Sequence, residues 1–133
     1  MTTLERLYEE ARVRGIAVEN FPLPQNTSCA VCIDGSYYIG IDRHRIDTSR
    51  EETECLAHEI GHCQTAAFYT LNAKQRRRAE KKAEIWAIEK LVSKKQFEQA
   101  LENGCREVWE FAEYLNLTHP FAEKVVVHYL HLT

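Results

Sequence analysis

The sequence has no long apolar run, and no stretch of its 133 residues approaches the ~20 apolar residues that span a bilayer. The residues from Met1 to Arg6 contain no apolar segment typical of a secretory signal, so we expect no export. The 17 basic and 20 acidic residues nearly balance, which gives no global reason to expect nucleic acid or an anionic membrane as partner. These absences predict a cytoplasmic protein without a membrane partner.

The number of cysteines is odd, with five at Cys29, Cys32, Cys55, Cys63 and Cys105. An odd number without an export signal favours reduced thiols over a disulfide framework. Cys29 and Cys32 have the spacing of half a zinc knuckle, but no second pair follows, and residues three apart on a strand point to opposite faces. We therefore interpret the cysteines as packing residues.

The chain also lacks repeats, low-complexity segments and linkers, so we predict a single domain over residues 1–133, with a core in 1–92 and a helical extension in 93–133. The apolar periodicity predicts an α+β fold that is mostly helical, with a small antiparallel hairpin before its central helix. The predicted strands are Ser28 to Ile33 and Tyr37 to Ile41, with a further strand around Ile16 to Val18. The predicted helices are Thr3 to Arg14, Thr48 or Ser49 to about Phe68, Ala73 to Val92, Lys94 to Glu102, Cys105 to Leu115 and His119 to Leu130.

The central helix carries the motif His58-Glu59-Ile60-Gly61-His62. Histidines four residues apart lie about 40° apart around a helix, so both imidazoles leave the same face. Two histidines at this spacing can hold zinc, and the glutamate between them can take a proton from the water on the metal. The motif also occurs by chance in many sequences. A third ligand elsewhere in the chain would support a zinc site, because catalytic zinc usually has three protein ligands.

The following helix offers carboxylates for that ligand. Glu80 and Glu84 lie within its apolar stripe, where an ionised carboxylate is costly unless it is paired or bound to metal. We predict Glu80 as the ligand and Glu84 as a partner for a ligand histidine N–H, or as the alternative ligand. In the competing interpretation, the two carboxylates lie at the edge of the apolar stripe and form salt bridges with Arg76 or Arg77.

The HEIGH motif, followed 18 residues later by Glu-x-x-Ala-Glu-x-Trp-Ala, resembles the ImmA/IrrE family of metallopeptidases. The resemblance runs from the hairpin to about Val92, roughly half of the chain. It departs from the family pattern at Glu84, where Asn or Asp is usual, and at Trp86, where Phe is usual. The first departure leaves open which of the two glutamates is the ligand.

The resemblance implies a zincin-like fold, one zinc ion bound by His58, His62 and Glu80, and Glu59 as general base. It further implies an endopeptidase that cleaves a helix-turn-helix repressor of a phage or mobile element and so acts as an anti-repressor. The donor that stabilises the oxyanion is not identified; Tyr38, Tyr69 and His44 are candidates by residue type alone.

Two other features leave further functions open. Six basic residues lie between Lys74 and Lys82; they indicate either a solvated face or a docking surface for an acidic partner or nucleic acid. Residues 110–130 resemble a helix-turn-helix, but the second helix has Lys124 as its one strongly basic residue, so direct nucleic-acid binding is not expected. Besides the peptidase, the alternatives are a non-catalytic module that sequesters its partner and a DNA-associated regulator.

Overall fold

The computed structural model describes residues 1–66 and 72–131. They fold into α-helices and a three-stranded sheet, which confirms the mostly helical α+β class. The elements are α1 (Thr3–Val13), β1 (Ala17–Asn20), β2 (Ser28–Ile33), β3 (Ser36–Ile41), α2 (Ser49–Thr65), α3 (Ala73–Leu91), α4 (Lys94–Glu102), α5 (Val108–Leu115) and α6 (His119–His131).

The chain divides into two compact units, residues 1–87 and residues 88–133. The predicted single domain, with its boundary near residue 92, stays a prediction. No helix in the part of the chain that the structure describes is long and apolar enough to cross a membrane.

The sheet of the first unit has the strand order β1-β3-β2. Strands β2 and β3 pair antiparallel around Asp34 and Gly35, which both have positive φ, at 51° and 79°. Two consecutive residues with positive φ form a type I′ turn, whose twist matches the twist of the two strands that it joins. The predicted hairpin is thus confirmed. The further strand is present too, but β1 pairs parallel with β3, with Ala17 opposite Tyr38; the sequence did not indicate this direction.

Helix α2 begins where its capping residues predict. The Thr48 hydroxyl accepts from the backbone N–H of Glu51 at 3.2 Å, and Glu51 and Glu52 lie in the positively polarised first turn. The helix ends at Thr65, because Ala66 takes the left-handed conformation at φ 51°. The predicted end at Phe68 lies outside the described residues.

The helical spacing of Leu56, Ile60, Cys63 and Ala67 predicts one buried face of α2. Leu56, Ile60 and Cys63 are buried, and Ala67 lies outside the described residues. The opposite face is also partly enclosed, because Glu59 and His62 are buried as well.

Gly61 brings α2 and α3 into close contact. A Cβ atom at this position would lie 2.7 Å from the carbonyl oxygen of Ala83, closer than real Cβ contacts allow. The nearest atoms of Ala83 all belong to its backbone, so no side-chain rotation can relieve the clash. This close approach accounts for a glycine inside the helix, where glycine costs about 1 kcal/mol relative to alanine.

We predict that Gly61→Ala destabilises the protein by about 1–3 kcal/mol, the usual cost of overpacking. If helix propensity alone acted, Gly61→Ala would stabilise the protein, since alanine is favoured over glycine in a helix by about 1 kcal/mol. Urea unfolding monitored by circular dichroism measures the change. A variant more stable than the wild-type protein would contradict the close approach.

The second unit is packed around aromatic side chains. The Phe97 ring stacks on Phe111 at a centroid distance of 5.1 Å and on Tyr129 at 5.2 Å, and the Tyr129 hydroxyl donates to the carbonyl of Val92. Helix α5 begins at Val108 rather than at Cys105, which corrects the prediction. The Glu110 carboxylate accepts from the backbone N–H groups of Arg106 and Glu107, so Glu107 caps the helix.

The structure places a three-residue turn, Asn116 to Thr118, between α5 and α6, as the predicted helix-turn-helix requires. Asn116 is in the left-handed conformation that ends α5. Of the three histidines of α6, His119 and His131 are exposed and His128 lies 3.2 Å from the Glu89 carboxylate. None of them belongs to a group of three potential metal ligands among the described residues.

Candidate metal centre

The two histidines of α2 form the base of the site. The ring centroids of His58 and His62 lie 4.9 Å apart, with their planes at 79°. The His62 side chain is almost fully enclosed at 2% exposure, whereas His58 keeps 27%. One imidazole is thus held inside the fold, and the other borders solvent.

Glu80 on α3 completes the group. Its Oε2 atom lies 2.9 Å from His58 Nε2, and its Oε1 atom lies 3.0 Å from His62 Nε2. One ligand atom from each of the three residues lies within 4.8 Å of the others, and no other such group occurs in residues 1–66 and 72–131. The structure therefore brings the three predicted ligands together.

This donor set fits zinc. Catalytic zinc takes imidazole nitrogen and carboxylate oxygen at ~2.0–2.2 Å, usually from three protein ligands with one open position. Two donors at that distance from one tetrahedral ion lie roughly 3.4 Å apart. The short distances from Glu80 to both imidazoles are close to this spacing, so small side-chain movements would admit an ion.

The packing of α3 explains how Glu80 reaches the histidines. Ala79, Ala83 and Ala87 are buried and present no long side chain. The contact between Gly61 and Ala83 fixes α3 beside the segment of α2 between the two histidines. Glu80 lies three residues before Ala83, almost one helical turn, and is thereby placed next to both imidazoles.

Glu84 does not join the metal-ligating group among the residues described. Its Oε2 atom lies 3.3 Å from Lys81 Nζ, and its side chain is 21% exposed. The competing interpretation, in which Arg76 or Arg77 neutralises the two glutamates, is not realised, because neither arginine forms an ion pair within the described part of the chain. The metal-ligand role of Glu80 and the supporting role of Glu84 stay predictions.

Glu59 is buried beside the three predicted ligands, at 6% exposure. Burial raises the pKa of its carboxyl group, while the hydrogen bond from Ser28 and the neighbouring imidazoles act in the opposite direction. The Ser28 hydroxyl donates to Glu59 Oε2 at 2.7 Å. The carboxylate is thus held in one place and leaves its other oxygen for a further contact.

Ser28 was not found by sequence reasoning. It is the first residue of β2 and lies 31 positions before Glu59, so no spacing links the two residues. A serine at a strand start is ordinary, and the contact exists only because β2 packs against α2. No signal in the sequence could have identified it.

We expect Ser28→Ala to lower the free energy of unfolding by about 1–2 kcal/mol, since it leaves a buried acceptor without its donor. Ser28→Thr keeps the hydroxyl and should retain most of that stability. Ser36→Ala is the matched control, because Ser36 is an exposed serine of the same hairpin. Equal unfolding free energies for Ser28→Ala and Ser36→Ala, measured in urea, would show that the hydrogen bond does not contribute.

Two of the three candidates for an oxyanion donor lie in the described structure. Tyr38 is 42% exposed on β3, and the backbone N–H of His44 donates to Asp42 Oδ1 at 3.2 Å. Neither residue forms a hydrogen bond or ion pair with His58, His62 or Glu80 among the described residues. Tyr69 lies outside the described residues.

All five cysteines are free thiols. Cys29 and Cys32 belong to no group of three potential metal ligands in the residues described, and Cys32 is exposed rather than packed in the core. Burial raises the pKa of the Cys63 thiol to about 11, and Cys55 Sγ lies 3.4 Å from the Thr27 hydroxyl. These two thiols behave as packing groups.

An α+β fold in which an HExxH helix and a glutamate of the next helix meet defines a candidate metallohydrolase. The family model Peptidase_M78, described as IrrE N-terminal-like domain, matches residues 11–124. The chain therefore belongs to this family, which confirms the ImmA/IrrE resemblance. No curated protein and no solved structure matches the chain significantly.

Proposed function

We propose that the protein is a zinc-dependent endopeptidase with His58, His62 and Glu80 as ligands of one zinc ion and Glu59 as general base. The observation that carries the proposal is the position of Glu80, whose two carboxylate oxygens lie 2.9 and 3.0 Å from the two imidazoles. Membership of a peptidase family supports the assignment. Glu59 follows His58 directly in the motif, so its carboxylate lies beside the same centre.

Held by His58, His62 and Glu80, a zinc ion would supply Lewis acidity and would lower the pKa of a bound water towards about 7. Glu59 accepts the proton of the attacking water and passes it to the leaving amine. Ser28 holds one oxygen of Glu59, so that the other oxygen can face the water. Because Glu59 is buried, bulk solvent has little access to the proton that its carboxylate takes up.

We infer that the substrate is a helix-turn-helix repressor of a phage or mobile element, cleaved in the cytoplasm, so that the protein acts as an anti-repressor. Family membership supports this inference. Incubation of the zinc-loaded protein with the repressors encoded beside its gene, followed by mass mapping, tests it. The expected result is two fragments from one bond of a repressor. If the repressors stay intact under these conditions, they are not substrates.

Two alternatives have distinct outcomes. A module that only sequesters its partner would act in cells without cleaving and would not need Glu59. A DNA-associated regulator would bind duplex DNA with an affinity that falls steeply as salt is added. The exposed residues of α6 include a single lysine, Lys124, which gives no basis for reading phosphates or base edges.

A further inference from the structure

The first half of α3 carries an unusual concentration of positive charge next to the candidate metal centre. The nine residues from Lys74 to Lys82 hold six of the 17 basic residues of the chain and one of its 20 acidic residues, Glu80. All six basic side chains are exposed. They are Lys74, Arg76, Arg77, Arg78, Lys81 and Lys82.

This arrangement is unfavourable for the helix itself. Arg77 and Lys81, like Arg78 and Lys82, are four residues apart and repel each other along the helix surface. The first turn of α3 contains no acidic residue, although the helix macrodipole favours negative charge there. A local arrangement that opposes helix stability is typical of a functional surface.

The cations have little compensation from the fold. Within the group, Lys81 forms an ion pair with Glu84. Arg76, Arg77, Arg78 and Lys82 form no ion pair with any carboxylate in residues 1–66 and 72–131. Their charge is therefore available to a molecule outside the fold.

Two of these arginines lie on the side of α3 that carries Glu80. Arg76 and Arg77 precede Glu80 by four and three residues, which places them about 40° and 60° from it around the helix. Arg78 and Lys82 lie two residues to either side of Glu80, about 160° away. The first pair borders the metal centre, and the second pair is on the opposite side of the same helix.

We propose that Arg76 and Arg77 form a docking site for an acidic segment of the polypeptide substrate, next to the bond that is cut. The proposal rests on the proposed peptidase function and adds a substrate preference to it. An acidic polypeptide fits better than a nucleic acid, because the cations surround α3 instead of forming one stripe along a duplex.

The test compares two double variants with the same change in charge, Arg76→Gln with Arg77→Gln and Arg78→Gln with Lys82→Gln. The probes are two pools of degenerate peptides that differ only at two fixed positions, Glu in one pool and Gln in the other. Cleavage is measured with the zinc-loaded protein. Binding is measured separately by fluorescence anisotropy in a Glu59→Gln background, and zinc content and thermal unfolding confirm that each variant is folded and loaded.

We expect the protein to favour the Glu pool about fivefold, the size of two solvent-exposed ion pairs, in both binding and cleavage. Neutralising Arg76 and Arg77 should remove the preference, whereas neutralising Arg78 and Lys82 should retain it. Equal losses in both variants, no preference in the wild-type sequence, or tighter binding of a 20-base-pair duplex than of the Glu pool would overturn the proposal. If neither pool is cleaved but the binding preference follows Arg76 and Arg77, the docking site stands, and the repressor incubation and Glu59→Gln decide the peptidase function separately.

Discussion

The Glu59→Gln protein is expected to bind one zinc ion as tightly as the wild-type protein and to leave the substrate uncut. Glutamine has the shape of glutamate and can accept the hydrogen bond from Ser28, but it cannot take a proton from water. General acid–base catalysis contributes about 10²–10⁴-fold, so cleavage should fall by at least about 100-fold. Fragment formation measured by mass, beside zinc content measured by atomic emission, gives both quantities.

This variant separates catalysis from sequestration. If Glu59→Gln relieves repression in cells as well as the wild-type protein does, the protein acts by binding its partner and the peptidase function is wrong. The Ser28→Thr variant is a useful companion, since it alters the same hydrogen bond while keeping the carboxylate. It should cleave, and its failure to do so would point to a packing effect at the strand.

The second large effect concerns the third ligand. Glu80→Gln should weaken zinc binding by more than about 100-fold, beyond the 10–100-fold that loss of an outer-shell partner costs. Glu84→Gln is the matched control, because it removes the same charge one turn further along α3. It should weaken zinc binding less than Glu80→Gln does, by no more than the 10–100-fold typical of an outer-shell partner. Competition with a chromogenic chelator measures both affinities.

The reverse order of these two effects would assign the ligand role to Glu84. The sequence left this choice open, because both glutamates lie in the apolar stripe of α3. The structure favours Glu80 through the distances from its two oxygens to His58 and His62. Retention of full zinc affinity by both variants would mean that neither carboxylate is a ligand.

Much of the candidate site could be predicted from the sequence because its parts are local. The i and i+4 spacing of His58 and His62 fixes their common face once α2 is helical. The carboxylates of α3 were recognisable because charge within an apolar stripe needs a partner. Gly61 was recognisable as a contact point, since glycine inside a helix is costly without one.

The remaining parts depend on contacts between distant segments. Ser28 meets Glu59 only through the packing of β2 on α2, and a serine carries no mark of such a contact. The parallel pairing of β1 depends on the path of the chain between the strands, which side-chain alternation does not encode. The start of α5 was placed three residues early because the apolar pattern does not reveal that Glu110 accepts from the backbone before the helix.

The central claim is that His58, His62 and Glu80 bind one zinc ion beside Glu59. Diffraction from crystals of the zinc-loaded protein, recorded on both sides of the zinc absorption edge, tests it directly. The account predicts one anomalous peak per chain, about 2.0–2.2 Å from a nitrogen of each histidine and an oxygen of Glu80. A loaded crystal with no peak among these three residues, or with its zinc bound elsewhere on the chain, would contradict it.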